Sequence, residues 1–124
     1  RVLHAADDGA AARVFAGADA FVLPSLFEGT PLTLMEAMAS GLPVITTATC
    51  GMKDVVRDGE TGLLVPTRAP AQIVAAVERL MGDTCLRARV GRAAQREALE
   101  KYNWDRVATP VGEVYERLCA QKRR

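Results

Sequence analysis

Aromatic side chains are scarce. One Trp, two Tyr and three Phe make up 5% of the 124 residues, so any core has to be aliphatic. Cysteine is scarce as well. Cys50, Cys85 and Cys119 are widely spaced, odd in number and form no CxxC pair, which excludes a disulfide scaffold and the common zinc modules. They read as free thiols of a reducing compartment, packed as small core residues. Excess charge of either sign is missing: sixteen basic and fifteen acidic side chains leave a formal +1. That excludes a strongly basic nucleic-acid binder and an acidic tail. No apolar run approaches the roughly 18 residues of a membrane span. The opening RVLHAADDGA has no apolar h-region, so it is no signal peptide. It also lacks a Met and reads as the start of a fragment or processed chain. The single histidine, His4, reads as terminal or structural.

What is present is the composition of a folded domain, 49% hydrophobic and 25% charged. Apolar runs alternate with helical patterns. AFVL (20–23), stopped by Pro24, reads as a buried strand. GLPVITT (41–47) and GLLV (62–65) give two more, and Val2 and Leu3 read as the end of another. Helices are expected over 11–17, over 31–40 with Thr30 as cap, Pro31 in the first turn and Gly41 as the stop, over 70–81, and over 84–102. A short helical turn follows Gly51, and Gly59 and Gly62 in DGETG read as turn glycines needing positive φ. In the helix at 70–81, Ile73, Val74, Val77, Leu80 and Met81 form the apolar face; the helix at 84–102 reads as charged and exposed. Asn103 caps a last helix whose stripe begins at Trp104 and which Pro110 should kink. The strand–helix alternation implies a Rossmann-like α/β fold, a parallel sheet with right-handed crossovers and flanking helices. Three strands are few for such a sheet, so the chain reads as part of a doubly wound domain, its C-terminal half.

The chemistry concentrates in PSLFEGTPLTLMEAMASGLPV, residues 24–44. A strand ends, a turn follows and a helix begins. In open α/β sheets ligands bind outside the carboxyl ends of the strands, where a helix start offers free N–H groups and a partial positive charge. Pro31 has no N–H, which leaves the amides of Gly29, Thr30, Leu32 and Thr33 as donors to a phosphate or diphosphate. Gly29 allows close approach to the backbone. Glu28 precedes the helix and Glu36 lies about one and a half turns into it. Burying Glu36 among Met35, Ala37 and Met38 would require a hydroxyl or cationic partner, and vicinal ribose hydroxyls would suit.

Glu28 and Glu36 form an E-x7-E arrangement. Together with ADAFVLPS before it, EGTPLTLMEAMASGLPV around it and DGETGLLVP after it, this resembles the C-terminal donor-binding domain of family 4 glycosyltransferases, retaining enzymes of the GT-B fold. The resemblance spans residues 17–118. It implies that Glu28 contacts donor-sugar hydroxyls beside the reacting carbon and is the catalytic position. It implies that Glu36 binds the nucleotide ribose, that Gly29, Thr30, Pro31, Leu32 and Thr33 hold the diphosphate and sugar, and that Ser25 assists. The substrates would be a nucleoside-diphosphate-sugar donor and an unidentified acceptor, either a glycan, a lipid-linked glycan or a small molecule. No cofactor, metal or nucleic acid is expected. The N-terminal domain and a basic pair that grips the diphosphate lie outside this stretch, so 1–124 alone is expected to be inactive and to bind donor weakly. The expected location is cytoplasmic, with peripheral attachment at the inner face of a membrane as the alternative.

Two other readings compete. A non-catalytic sugar-nucleotide or interaction module would keep the fold alone. A signalling receiver domain would suit the length and the pair Asp7–Asp8, but it needs a phosphoacceptor Asp where this chain has Pro24 and Ser25.

Overall fold

The computed structural model describes residues 8–122. The expected strand end at Val2 and Leu3, His4, Asp7 and the last two arginines lie outside the described residues. In chain order the elements are α1 (Asp8–Ala16), β1 (Phe21–Leu23), α2 (Leu32–Ala39), β2 (Val44–Thr47), α3 (Cys50–Val55), β3 (Leu63–Val65), α4 (Pro70–Gly82), α5 (Thr84–Lys101) and α6 (Trp104–Lys122). The three strands form one parallel sheet in the order β1-β2-β3. This is the expected α/β architecture. No described helix is long and apolar enough to cross a membrane.

Strand β2 is central and buried along its whole length. Successive side chains on a strand point to opposite faces, and Val44 and Ile45 accordingly enter two different cores. Val44 joins Leu34, Ala37, Met38, Met52, Val55, Ala94 and Ala98 from α2, α3 and α5. Ile45 joins Leu63, Val65, Ala76, Leu80, Leu86 and Val90 from β3, α4 and α5. Among the described residues one aromatic pair contributes, Phe15 edge-on to Phe21; the core is aliphatic, as the composition requires.

Several expectations are corrected. Strand β1 is not fully buried: among the described residues it lies at the edge of the sheet, and Val22 is 38% exposed. The apolar face of α4 is carried by Ile73, Ala76, Val77 and Leu80, while Val74 and Met81 face outward. Helix α5 is a core helix rather than an exposed one. Its inner stripe of Leu86, Val90, Gly91, Ala94 and Ala98 uses small residues, which weakens the apolar periodicity but lets α2 pack closely. All three cysteines are exposed: Cys50 and Cys85 sit in the first turns of α3 and α5, and Cys119 lies on α6, which buries no residue. Helix α2 starts one residue later than expected. Pro31 itself is its N-cap, in an extended conformation and without a side-chain cap bond, so Thr30 does not cap it. Gly41 (φ +80°) and Gly59 (φ +74°) occupy the left-handed region, where glycine alone is unstrained. Gly62 is glycine for a different reason: a Cβ there would lie 2.7 Å from Val44 Cγ2. Asn103 accepts from the Arg106 N–H at 2.8 Å and caps α6, which then runs to Lys122 across Pro110.

One charged group sits inside this scaffold. Glu97 on α5 is 7% exposed and accepts from Arg57 Nη1 at 2.6 Å and Lys101 Nζ at 2.8 Å. Arg57, in the turn before β3, also pairs with Glu60 at 2.8 Å. Burial pushes the Glu97 carboxyl up, but the hydrogen bonds from Lys101 and Arg57 outweigh it and hold the group below its ordinary value. A carboxylate whose folded pKa is depressed adds stability that is complete above the ordinary carboxylate range and is lost as pH falls through the folded value. Glu97→Gln is therefore expected to lower unfolding free energy by about 1 kcal/mol at neutral pH. That deficit should shrink as pH drops below the carboxylate range. Urea unfolding from neutral to acid pH measures both.

Candidate functional site

The site lies at the carboxyl edge of the sheet, where β1 hands over to α2. Pro24 cannot donate to a ladder and ends β1. The segment 24–31 then crosses the top of β2. Within it Ser25 Oγ donates to Glu28 Oε1 at 3.2 Å, and both residues are half-buried. Leu26 and Phe27 point outward, Phe27 at 78% exposure. The loop then opens α2. The Leu34 and Met35 amides return to the Pro31 carbonyl at 3.1 and 3.4 Å. The N–H groups of Gly29, Thr30, Leu32 and Thr33 donate to no acceptor within the described residues. The first turn of α2 carries no acidic side chain, so nothing in the helix itself offsets the positive end of its dipole. A Cβ at Gly29 would meet nothing within 4 Å.

Glu36 lies along an open groove of about 490 Å³ between α2, the end of α5 and the start of α6. Thr30, Leu32, Met35 and Ala39 line its α2 side, and Leu99, Tyr102, Trp104 and Val107 line the other. The carboxylate is exposed, so the burial cost anticipated for it does not arise. Of the residues singled out in the sequence, the structure brings Ser25 to Glu28, and it brings Thr30 and Leu32 to the groove of Glu36. It does not bring Glu28 into that groove: Glu28 is held by Ser25 in the turn before α2, and Thr30 is the residue of that turn that reaches the groove. Thr33 and Pro31 lie in the opening turn between them. Among the described residues no group of three His, Cys, Asp or Glu is placed to hold a metal ion.

Sequence reasoning missed the residues that hold this loop in place. Thr46 Oγ1 donates to the Leu23 carbonyl at 3.0 Å, and Thr47 Oγ1 donates to the Ser25 carbonyl. At Gly51, in α3, a Cβ would overlap the Gly29 carbonyl and lie 3.0 Å from Thr30 Oγ1. Two hydroxyls inside an otherwise apolar strand were the available signal. The groove wall on α6 was missed too, because Trp104 read as part of one stripe along the helix.

A parallel sheet with a bare helix start and acidic side chains at its carboxyl edge is the ligand-binding edge of a doubly wound α/β domain. The chain belongs to the glycosyl transferases group 1 family, whose model matches residues 1–97. It is 38% identical over 101 residues to D-inositol 3-phosphate glycosyltransferase of Streptomyces bingchenggensis, covering 82% of this chain and 22% of that protein. Sucrose-phosphate synthase of Thermosynechococcus elongatus superposes with a TM-score of 0.82 at 32% identity, over 87% of this chain and 27% of that one. Anabaena HepE, solved with UDP and glucose, superposes with a TM-score of 0.83 at 20% identity, over 86% and 29%; at that identity it shows the fold alone. These structural neighbours are glycosyltransferases of the GT-B fold. The chain spans between 22% and 32% of the length of the curated relatives it matches.

Proposed function

We propose that this chain is the donor-binding part of a retaining glycosyltransferase that takes sugar from a nucleoside-diphosphate sugar and passes it to an acceptor held by another part of the same protein. The observation that carries the reading is the row of unpartnered amides from Gly29 to Thr33 at the bare N-terminus of α2, with Ser25–Glu28 before it and Glu36 after it. In this reading the diphosphate seats on those amides, where N–H donors and the helix dipole meet its charge. Glu36, about a turn further along the groove, takes the ribose hydroxyls. Glu28, oriented by Ser25, takes hydroxyls of the donor sugar beside the reacting carbon and is the catalytic residue. The contribution of the protein is positioning and stabilisation of charge on the leaving diphosphate. Membership of the glycosyl transferases group 1 family supports the transfer of sugar.

The proposal extends to three further points. The reaction proceeds without a metal, the protein works in the cytoplasm, and residues 1–124 by themselves do not transfer sugar, because acceptor groups and the cations that grip the diphosphate come from elsewhere in the whole protein.

In the full-length protein, assayed against a panel of UDP-, GDP- and ADP-sugars, Glu28→Ala is expected to lower kcat by about 100-fold or more while the fold is retained by circular dichroism. Wild-type turnover in that variant removes Glu28 from the reaction. Glu36→Ala is expected to weaken nucleoside-diphosphate affinity by about tenfold in calorimetry, the scale of one lost charged hydrogen bond; unchanged affinity removes the ribose role. Turnover is expected to survive exhaustive treatment with EDTA, and its loss with recovery on adding a divalent cation would show a metal requirement.

A further inference from the structure

The segment that carries Ser25 and Glu28 makes few bonds of its own. Besides Ser25 Oγ to Glu28, no hydrogen bond joins one residue of 24–30 to another among the described contacts. Its position is set from outside. Strand β1 pairs with β2 only as far as Leu23, opposite Thr46. Pro24 has no N–H with which to continue the ladder. At the next position along β2 the backbone bond is replaced by a side chain: Thr47 Oγ1 donates to the Ser25 carbonyl.

Thr47 is itself immobile. It is 1% exposed, and its backbone is paired with Val65 of β3. The following residue continues that clamp, with the Ala48 amide donating to the Val65 carbonyl at 2.8 Å. The loop is thus hung from a post fixed to the far strand. The second point of fixation is Gly51, whose missing side chain lets the start of α3 press against the Gly29 carbonyl and Thr30. Between these two points lies Glu28.

We infer that Thr47 is a positioning residue: its hydroxyl seats the β1–α2 loop and thereby sets where Ser25 holds the Glu28 carboxylate. The inference rests on the functional reading of Glu28 for its consequence in catalysis, but not for its structural content. It predicts sensitivity to the hydroxyl rather than to the size of the side chain. Thr47→Val keeps the shape and removes the donor; Thr47→Ser keeps the donor.

The test uses the full-length protein and two readouts. In hydrogen exchange followed by mass spectrometry, peptides covering 24–31 should exchange about tenfold faster or more in Thr47→Val and at the wild-type rate in Thr47→Ser. In transfer assays Thr47→Val should lower kcat about tenfold with donor KM within about twofold, and Thr47→Ser should restore it. Val90→Ala, in the core on the other face of the sheet, serves as the structural comparison: it lowers thermal stability with kcat within about twofold of wild type. Wild-type exchange at 24–31 in Thr47→Val overturns the inference. So does a Thr47→Ser variant that behaves like Thr47→Val, or an equal loss of kcat in Val90→Ala. If Thr47→Val does not fold, Thr47→Ala is read in its place, again against Thr47→Ser. If the wild-type protein turns over no nucleotide sugar, the functional reading fails by itself, and the exchange comparison still decides the role of Thr47.

Discussion

Strand β2 carries the molecule. It is the only described strand with a neighbour on both sides, and each of its four side chains has a separate task. Val44 and Ile45 nucleate the two cores, one on each face of the sheet. Thr46 and Thr47 close the top of the sheet by taking the Leu23 and Ser25 carbonyls. A buried hydroxyl is tolerated only when it is bonded, and here each bond fixes backbone that leads into the site. Packing and site geometry are therefore not separable in this chain: the residues that fill the sheet also decide where the β1–α2 loop sits.

The electrostatics of the site follow from what α2 lacks. Its N-cap is a proline with no capping side chain, and its first turn holds no acid. Helices often satisfy their opening amides with Ser, Thr, Asp or Asn; α5 does so with Asp83, which accepts from the Leu86 amide at 2.8 Å, and α6 does so with Asn103, whereas α3 and α4, like α2, start without a side-chain cap. Helix α2 leaves its donors free between two carboxylates, Glu28 in the preceding turn and Glu36 along the groove. An anion that also offers hydroxyl groups would use the acids as well as the amides, and a sugar nucleotide is proposed on that ground.

Much of this was legible in the residues. Gly41 and Pro43 mark the end of α2, Pro24 marks the end of β1, and the alternation of strand and helix fixes a parallel sheet. The composition of the 24–44 stretch marks the candidate site. Other features were hidden for physical reasons. Helix α5 looked exposed because Gly91, Ala94 and Ala98 make up much of its buried stripe, and their value lies in letting helices approach rather than in hydrophobicity. Glu97 looked like surface charge because its partners, Arg57 and Lys101, are respectively 40 and 4 residues away, and only the fold unites the first with it. AFVL looked buried because the strand is apolar, whereas burial depends on what lies beside it. Thr47 could not be read at all from spacing: its role depends on β1 ending one residue too early.

The central claim is that the amides opening α2 seat a diphosphate while Glu36 takes the ribose. A crystal structure of the full-length protein with its nucleoside diphosphate tests this most directly. The account predicts phosphate oxygens within hydrogen-bond distance of the N–H groups between Gly29 and Thr33 and ribose hydroxyls on the Glu36 carboxylate. A diphosphate bound away from the start of α2, or a ribose that leaves Glu36 untouched, would contradict it.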